Sequence, residues 1–276
     1  MMRTMRTSPR LHASLIAAAL GLAACHGPAR EAPIPSDGCA APTLTPGAPV
    51  NGSLSVAGTT RTYQVFVPTG DAHAPRVLVF VFHGSGGSGA NIRGYVGRPM
   101  ETAAAGDAVF VYPDGLPDGG GTGWPNTGGR DVAFFDALLA RLSAETCLDQ
   151  ARVFVTGFSY GGYMSNTVGC ARAGVVRAIA PLSGGGPFGS CDGQPVAAWL
   201  GHGANDTTVT LDQGTGSRDH WLQANHCAGT SSATSPAPCV AYDGCGQDPV
   251  VWCAFAGTHE VQAWEPPAVW DFFRRF

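Results

Sequence analysis

Arg152-Val153-Phe154-Val155-Thr156-Gly157-Phe158-Ser159-Tyr160-Gly161 is the stretch on which the fold turns. Residues 152–156 form a continuous apolar run of the kind that makes a buried strand, and residues 160–171 have helical spacing. The pentapeptide between them is G-x-S-x-G. A sharp strand-to-helix turn crowds the backbone around its central serine, so a glycine is needed on each side, and the hydroxyl is left exposed above the sheet. The start of the helix adds a favourable potential for negative charge forming nearby. Ser159 is therefore the candidate nucleophile. Ser85 and Ser183 also sit among glycines, but neither completes the pattern.

Working outward, the strand pattern recurs at residues 76–82, 108–112, 178–182 and 196–200, and helical spacing recurs at 91–105, 131–145 and 212–225. Strands alternating with helices predict an α/β domain, a mainly parallel sheet with helices on both faces. Before this series, two short alternating runs at 53–57 and 62–67, around Gly58-Thr59-Thr60, predict an N-terminal antiparallel hairpin.

A serine hydroxyl is a poor nucleophile unless a base takes its proton, and the base needs an acid to hold its tautomer. In a fold of this kind the chain order is Ser, then Asp or Glu, then His. Asp206 follows the predicted strand 196–200 within His202-Gly203-Ala204-Asn205-Asp206, and His259 follows the apolar run 250–255. Both fall in loops at carboxyl ends of strands, where active sites of open α/β sheets lie. His202 precedes the acid and reads as a residue that orders its loop. Asp212 reads as a helix cap, Asp219, His220 and His226 as solvated helix positions, and Asp131 as the cap of the helix it opens.

His83-Gly84-Ser85-Gly86-Gly87 ends the strand 76–82. One oxyanion donor belongs at this place: the Ser85 N–H, with Gly86 the alternative, beside the N–H of Tyr160. Residues 84–89 also satisfy G-x-G-x-x-G, the rival reading as a dinucleotide site, which leaves the Ser159, Asp206 and His259 loops unexplained. No metal or organic cofactor is expected. Trp124 and Trp264 are candidate walls of a substrate pocket, with ordinary core packing the competing role.

Among 276 residues there is no lysine, which excludes a P-loop lysine, a Schiff-base lysine and a Ser-Lys pair. Residues 1–24 combine Arg3, Arg6 and Arg10 with a short apolar run and read as a signal peptide, ending in Leu22-Ala23-Ala24-Cys25, a pattern that predicts lipid attachment to Cys25. Without that leader 13 arginines face 20 acids, a net charge of −7 that disfavours nucleic acid as a partner. The expected partners are an ester substrate and, through a lipid anchor alone, a membrane; the chain is expected to be a monomer. Residues 25–50, rich in Pro, Ala, Gly and Thr, read as an extended tether, leaving 51–276 as the catalytic domain.

Eight cysteines follow Cys25, an even number with no C-x-x-C pair, and in an exported chain this predicts disulfides rather than a metal site. One pair is open to argument. The strand 152–156 and the helix 160–171 cover about 17 Å and 16 Å, which would return Cys170 to the level of Cys147.

At these residues the sequence resembles the bacterial polyhydroxybutyrate depolymerase-like and feruloyl esterases, serine esterases of the α/β-hydrolase fold, over residues 62–276. The resemblance is carried by His83-Gly84, Asp131-Val132, Cys147-Leu148-Asp149, the Gly-Phe-Ser-Tyr-Gly-Gly turn, His202-Gly203 with Asp206, and Val251-Trp252-Cys253 before His259. It implies hydrolysis of hydroxycinnamoyl sugars, polyhydroxyalkanoates or related esters; feruloyl or acyl esters of plant polysaccharide oligomers are preferred, because no appended domain to grip an insoluble polymer is expected and a lipid anchor would hold the chain at the cell surface. One departure is Glu260-Val261-Gln262 where many relatives have Trp-Pro soon after the histidine. A reading of another class is a non-catalytic surface-binding lipoprotein on the same fold.

Overall fold

The computed structural model describes residues 32–276. The leader and Cys25 lie outside the described residues. The chain runs β1 (Pro49–Val56), β2 (Thr59–Phe66), β3 (Arg76–Phe82), α1 (Gly89–Ile92), α2 (Arg98–Ala104), β4 (Ala108–Pro113), β5 (Leu116–Pro117), β6 (Thr122–Gly123) and α3 (Arg130–Glu145). It continues through β7 (Leu148–Phe158), α4 (Tyr160–Ala171), β8 (Val176–Leu182), β9 (Ala197–Gly203), α5 (Leu211–Ala224), β10 (Ser231–Ala233), β11 (Val240–Tyr242), β12 (Val250–Phe255) and α6 (Glu265–Phe273).

Ten strands form one sheet in the order β1-β2-β4-β3-β7-β8-β9-β12-β11-β10. The six central strands from β4 to β12 are parallel, and the two at each edge are antiparallel. The expected hairpin is β1–β2. Its two-residue turn is Ala57-Gly58, both at positive φ, one residue earlier than the Gly-Thr-Thr reading, because primed turns match strand twist.

Period-two alternation explains the continuous apolar strands. In β3, Leu78, Phe80 and Phe82 enter a core with Phe134, Phe135, Leu138 and Leu142 of α3, Met164 and Val168 of α4, and Trp221 of α5. Val77, Val79 and Val81 enter a second core, with Ile92, Val96 and Met100 at α1 and α2 and Val269, Trp270, Phe272 and Phe273 at α6. Each face of the sheet thus has its own helical layer. The order of strands reverses between β3 and β7, and the crevice above their carboxyl ends is where this architecture places a ligand.

Two expectations are corrected. Cys147 pairs with Cys39, and Cys170 with Cys191; the other bridges are Cys227–Cys245 and Cys239–Cys253. The Cys147–Cys170 bridge fails because the eleven residues of β7 span about 33 Å, whereas α4 rises about 16 Å, so the helix returns only half way. The second correction concerns the tether. From Pro35 onward the segment is fastened to the domain: Pro35 bridges Asp149, Ser36 Oγ donates to Thr146 O and accepts from the Leu148 N–H, and Cys39 is covalently held.

Asp131 is likewise not a cap. It sits buried inside the first turn of α3 and pairs with Arg61 at 2.9 Å, while the Asn126 side chain accepts the N–H groups of Asp131 and Val132. The cap of α5 is Thr210, in a reciprocal capping box with Gln213, rather than Asp212.

Candidate active site

Ser159 occupies the turn between β7 and α4 at φ 58° and ψ −119°, a backbone region that costs a non-glycine residue on the order of 1–3 kcal/mol. The flanking glycines make it attainable. A Cβ on Gly157 would lie 2.5 Å from Gly161 O and 2.6 Å from Phe82 O, and one on Gly161 would lie 2.0 Å from Phe82 O. The turn is pressed against the end of β3, and only glycine fits at either side.

Asp206 and His259 arrive from the far side. β9 and β12 pair in parallel, and the loops after them stay joined, Ala204 N–H donating to Phe255 O and Asn205 N–H to Gly257 O. His259 Nδ1 lies 2.6 Å from Asp206 Oδ2, and His259 Nε2 lies 2.8 Å from Ser159 Oγ. The three side chains expected from chain order are brought together in one hydrogen-bonded line.

The carboxylate is built to stay ionised. Burial pulls the Asp206 carboxyl upward, but hydrogen bonds from His259, Thr208 and Val209, with the charge of His259, outweigh it and hold it below the ordinary carboxylate range. Its Oδ1 accepts the N–H groups of Thr208 and Val209 at 2.9 and 3.0 Å, leaving Oδ2 to the histidine. His202 is buried behind it, with Nε2 2.9 Å from Val209 O and 3.6 Å from Asp206 Oδ2. Burial lowers its pKa, and the neutral ring orders the acid loop.

Across Ser159 lies the segment after β3. The Gly84 Cα is so close that a Cβ there would touch Ser159 Cβ at 3.4 Å. His83 fixes this segment: Nδ1 donates to Gly84 O, Nε2 accepts the Gly115 N–H at 2.8 Å, and burial lowers its pKa. Gly86, the alternative donor, gives its N–H to Thr122 O and Gly87 gives its own to Gly84 O. Among the described residues no acceptor takes the Ser85 N–H. Tyr160, the first residue of α4, has an N–H that the helix cannot use. Its hydroxyl is fixed by donation to Asp118.

Both tryptophans are packed side chains, the competing role named for them. Trp124 is 1% exposed, its ring edge-on to Phe82 and its Nε1–H donated to His83 O, so it pins the segment that carries Ser85 and presents no wall to a substrate. Trp264 packs edge-on to Phe255 and Trp199 and lines a cavity of about 540 Å³ that none of Ser159, Asp206 and His259 borders. Nearer the serine stand aromatics the sequence did not single out. Phe158 lies 4.8 Å from the His259 ring, with Tyr95 edge-on to it, and Tyr163 of α4 is stacked on Phe188. Phe158 alone could have been found, as part of the pentapeptide.

No family model matches the chain. Feruloyl esterase D of Neurospora crassa is 36% identical over 279 residues, covering 90% of this chain and 93% of that protein. Feruloyl esterase C of Emericella nidulans is 37% identical, covering 86% and 90% respectively. Among solved structures, an acetyl xylan esterase from Aspergillus awamori superposes with a TM-score of 0.64 at 17% identity, over 82% of this chain and all of that one. A ferulic acid esterase from Anaeromyces mucronatus gives 0.58 at 15% identity, over 82% and 88%. These two structures bear on the fold alone, which is that of the α/β-hydrolases.

Proposed function

The chain belongs to the feruloyl esterases, carboxylic-ester hydrolases of the α/β-hydrolase fold, and from that premise we propose that it cleaves feruloyl or closely related acyl esters of plant polysaccharide oligomers, with Ser159 as nucleophile, His259 as base and Asp206 as the acid that orients it. The observation that carries the reading is the unbroken hydrogen-bond line from Asp206 Oδ2 through both ring nitrogens of His259 to Ser159 Oγ. Ser159 Oγ attacks the ester carbonyl as His259 Nε2 takes its proton, and Asp206 stabilises the imidazolium. The N–H groups of Ser85 and Tyr160 receive the oxyanion, the same proton passes to the departing alkoxide, and water activated by His259 then releases the acid. No step calls on a group from outside the chain other than substrate and water.

The four disulfides fit an oxidising, extracytoplasmic setting. Lipid attachment to Cys25 has no support beyond the sequence pattern and forms no part of the proposal; the hydroxyalkanoate and non-catalytic readings have no observation in their favour. Replacing Ser159 by Ala should abolish hydrolysis of methyl ferulate and labelling by a fluorophosphonate while leaving the thermal transition in place. A folded Ser159→Ala protein that still turns over the ester would reject the assignment.

A further inference from the structure

Around Ser159 two directions are taken. The oxyanion segment lies toward β3, and His259 toward β9 and β12. An ester carbonyl held between them has its alkoxy oxygen within reach of His259 Nε2, which protonates it, and its acyl group beside Ser159. Each face of the sheet carries an exposed aromatic. Of the four large apolar side chains exposed among the described residues, Tyr95 at 40% lies on the side of α1, α2 and α6, and Phe188 at 44% lies on the side of α4.

The two are not equivalent. Tyr95 meets Phe158 at 6.1 Å with the rings at 87°, which makes a right-angled aromatic corner. Phe158 immediately precedes Ser159, touches the His259 ring, and its Cδ1 lies 3.6 Å from the same point above Gly84 that Ser159 Cβ approaches to 3.4 Å. The phenyl ring of a hydroxycinnamoyl ester is centred only about 5 Å from its carbonyl carbon, two chain carbons away at ordinary bond lengths, so it needs a platform next to the serine. Phe188 lacks this link: its ring is stacked on Tyr163, one helical turn along α4 from Ser159, and among the described residues no ring contact joins it to Phe158 or His259.

Tyr95 is also held in place by an unusual local backbone. Residues Arg93–Gly97 form a π-helical turn between α1 and α2, a rare insertion that re-aims a side chain and recurs at functional sites. The turn is locked from below by Ile92 and Val96, both fully buried, and from the side by the bidentate Arg93–Glu101 pair. Gly97 closes on the Tyr112 ring, where a Cβ would lie 2.4 Å from it.

We infer that the Tyr95–Phe158 corner is the subsite for the planar aromatic ring of the acyl group, and that Tyr95 sets the preference for hydroxycinnamoyl over aliphatic esters. The inference rests on the feruloyl-ester reading above. A planar ring laid on one face of the corner meets the other edge-on, the two arrangements aromatic pairs favour.

The test compares methyl ferulate with methyl butyrate, which share an alcohol and differ only in the acyl group. Tyr95→Ala and Tyr95→Leu should each lower kcat/KM for methyl ferulate about tenfold, the equivalent of about 1.4 kcal/mol, while methyl butyrate changes less than about twofold and so reports an intact fold and triad. Tyr95→Phe, which keeps the ring, should retain the wild-type ratio, and Phe188→Ala should leave the ratio unchanged. Equal losses on both esters in the Tyr95 variants, or a fall in the ratio confined to Phe188→Ala, would overturn the assignment and leave the feruloyl reading standing. A wild-type enzyme with no preference for ferulate over butyrate would instead overturn that reading, and this inference with it.

Discussion

At Ser159 main chain is held by main chain. Gly157 and Gly161 bring the turn so close to Phe82 that carbonyl oxygens would stand 2.0 to 2.6 Å from any added Cβ. At His259 the support is of another kind. Main-chain bonds tie its loop to the Asp206 loop as far as Gly257, and from Thr258 onward two local main-chain turns, Glu260 N–H to Thr258 O and Glu265 N–H to Gln262 O, are joined by two carboxylates: Glu260 Oε1 accepts the Thr258 N–H, and Glu265 Oε2 accepts the Gln262 N–H at 2.6 Å. The nucleophile is placed by steric exclusion, which leaves few alternatives and does not depend on solution conditions. The base is placed by hydrogen bonds to acids, which depend on length, charge and pH.

The largest expected effect falls where the two supports meet. Asp206→Asn keeps the shape of the acid loop but removes the acceptor that holds His259 Nδ1–H, so kcat on methyl ferulate should drop on the order of 10⁴-fold with the thermal transition little changed. Steady-state kinetics beside a melting curve checks this, and a loss under tenfold would mean that Asp206 does not orient the base.

Gly161→Ala tests the other support. The added Cβ would stand 2.0 Å from Phe82 O, and the backbone on both sides must give way. Activity should fall on the order of 10²-fold from displacement of Ser159 by a fraction of an ångström to an ångström, and stability by about 1–3 kcal/mol from overpacking. Gly216, also inside a helix but with nothing near its Cβ position, supplies the control: the same substitution there should be neutral or slightly stabilising. Similar outcomes at the two glycines would show that the turn is not held sterically.

The same contrast decides what the sequence disclosed. The elbow was legible because its steric demand is local: two glycines two residues to either side of the serine, in a strand-to-helix context. Asp206 and His259 were legible through the order of strands, since both stand just past a strand at the same sheet edge. Where the answer depended on the direction of a side chain or the length of an element, the sequence was silent. Trp124 in its Gly-Trp-Pro loop carries no sign that its ring turns inward to His83, and the Cys147 bridge was misread because β7 starts four residues earlier than its apolar run. Tyr95 escaped because a π turn breaks the helical period on which the reading of 91–105 relied.

Glu265 was the least legible of all, since an acid beside Pro266-Pro267 at the start of a helix reads as a solvated residue favourable to the dipole. It is in fact 1% exposed, and its Oε1 has no hydrogen-bond partner and faces Gly201 of β9, where a Cβ would lie 2.1 Å away. Burial pushes its pKa up to about 8, against a lowering contribution from the Gln262 N–H and a further raising one from Glu260. A carboxyl whose folded pKa lies above its unfolded value of 4.5 favours the folded state most while both states hold the proton. Below pH 4.5 the group adds no pH dependence; between 4.5 and 8 the unfolded chain releases a proton that the folded one keeps, and stability falls by up to about 1.4 kcal/mol per pH unit. Above 8 both are ionised and the decline stops. Glu265→Gln keeps the shape and an acceptor for the Gln262 N–H but cannot ionise. Denaturant midpoints taken from pH 5 to 8.5 should therefore lie close together for the two proteins at pH 5 and diverge as pH rises, the variant becoming the more stable. Because Asp206, His202 and His83 titrate alike in both, the difference isolates position 265, and a gap constant across that range would show that the carboxyl is already ionised in the folded enzyme and that the His259 loop is not supported by a neutral acid.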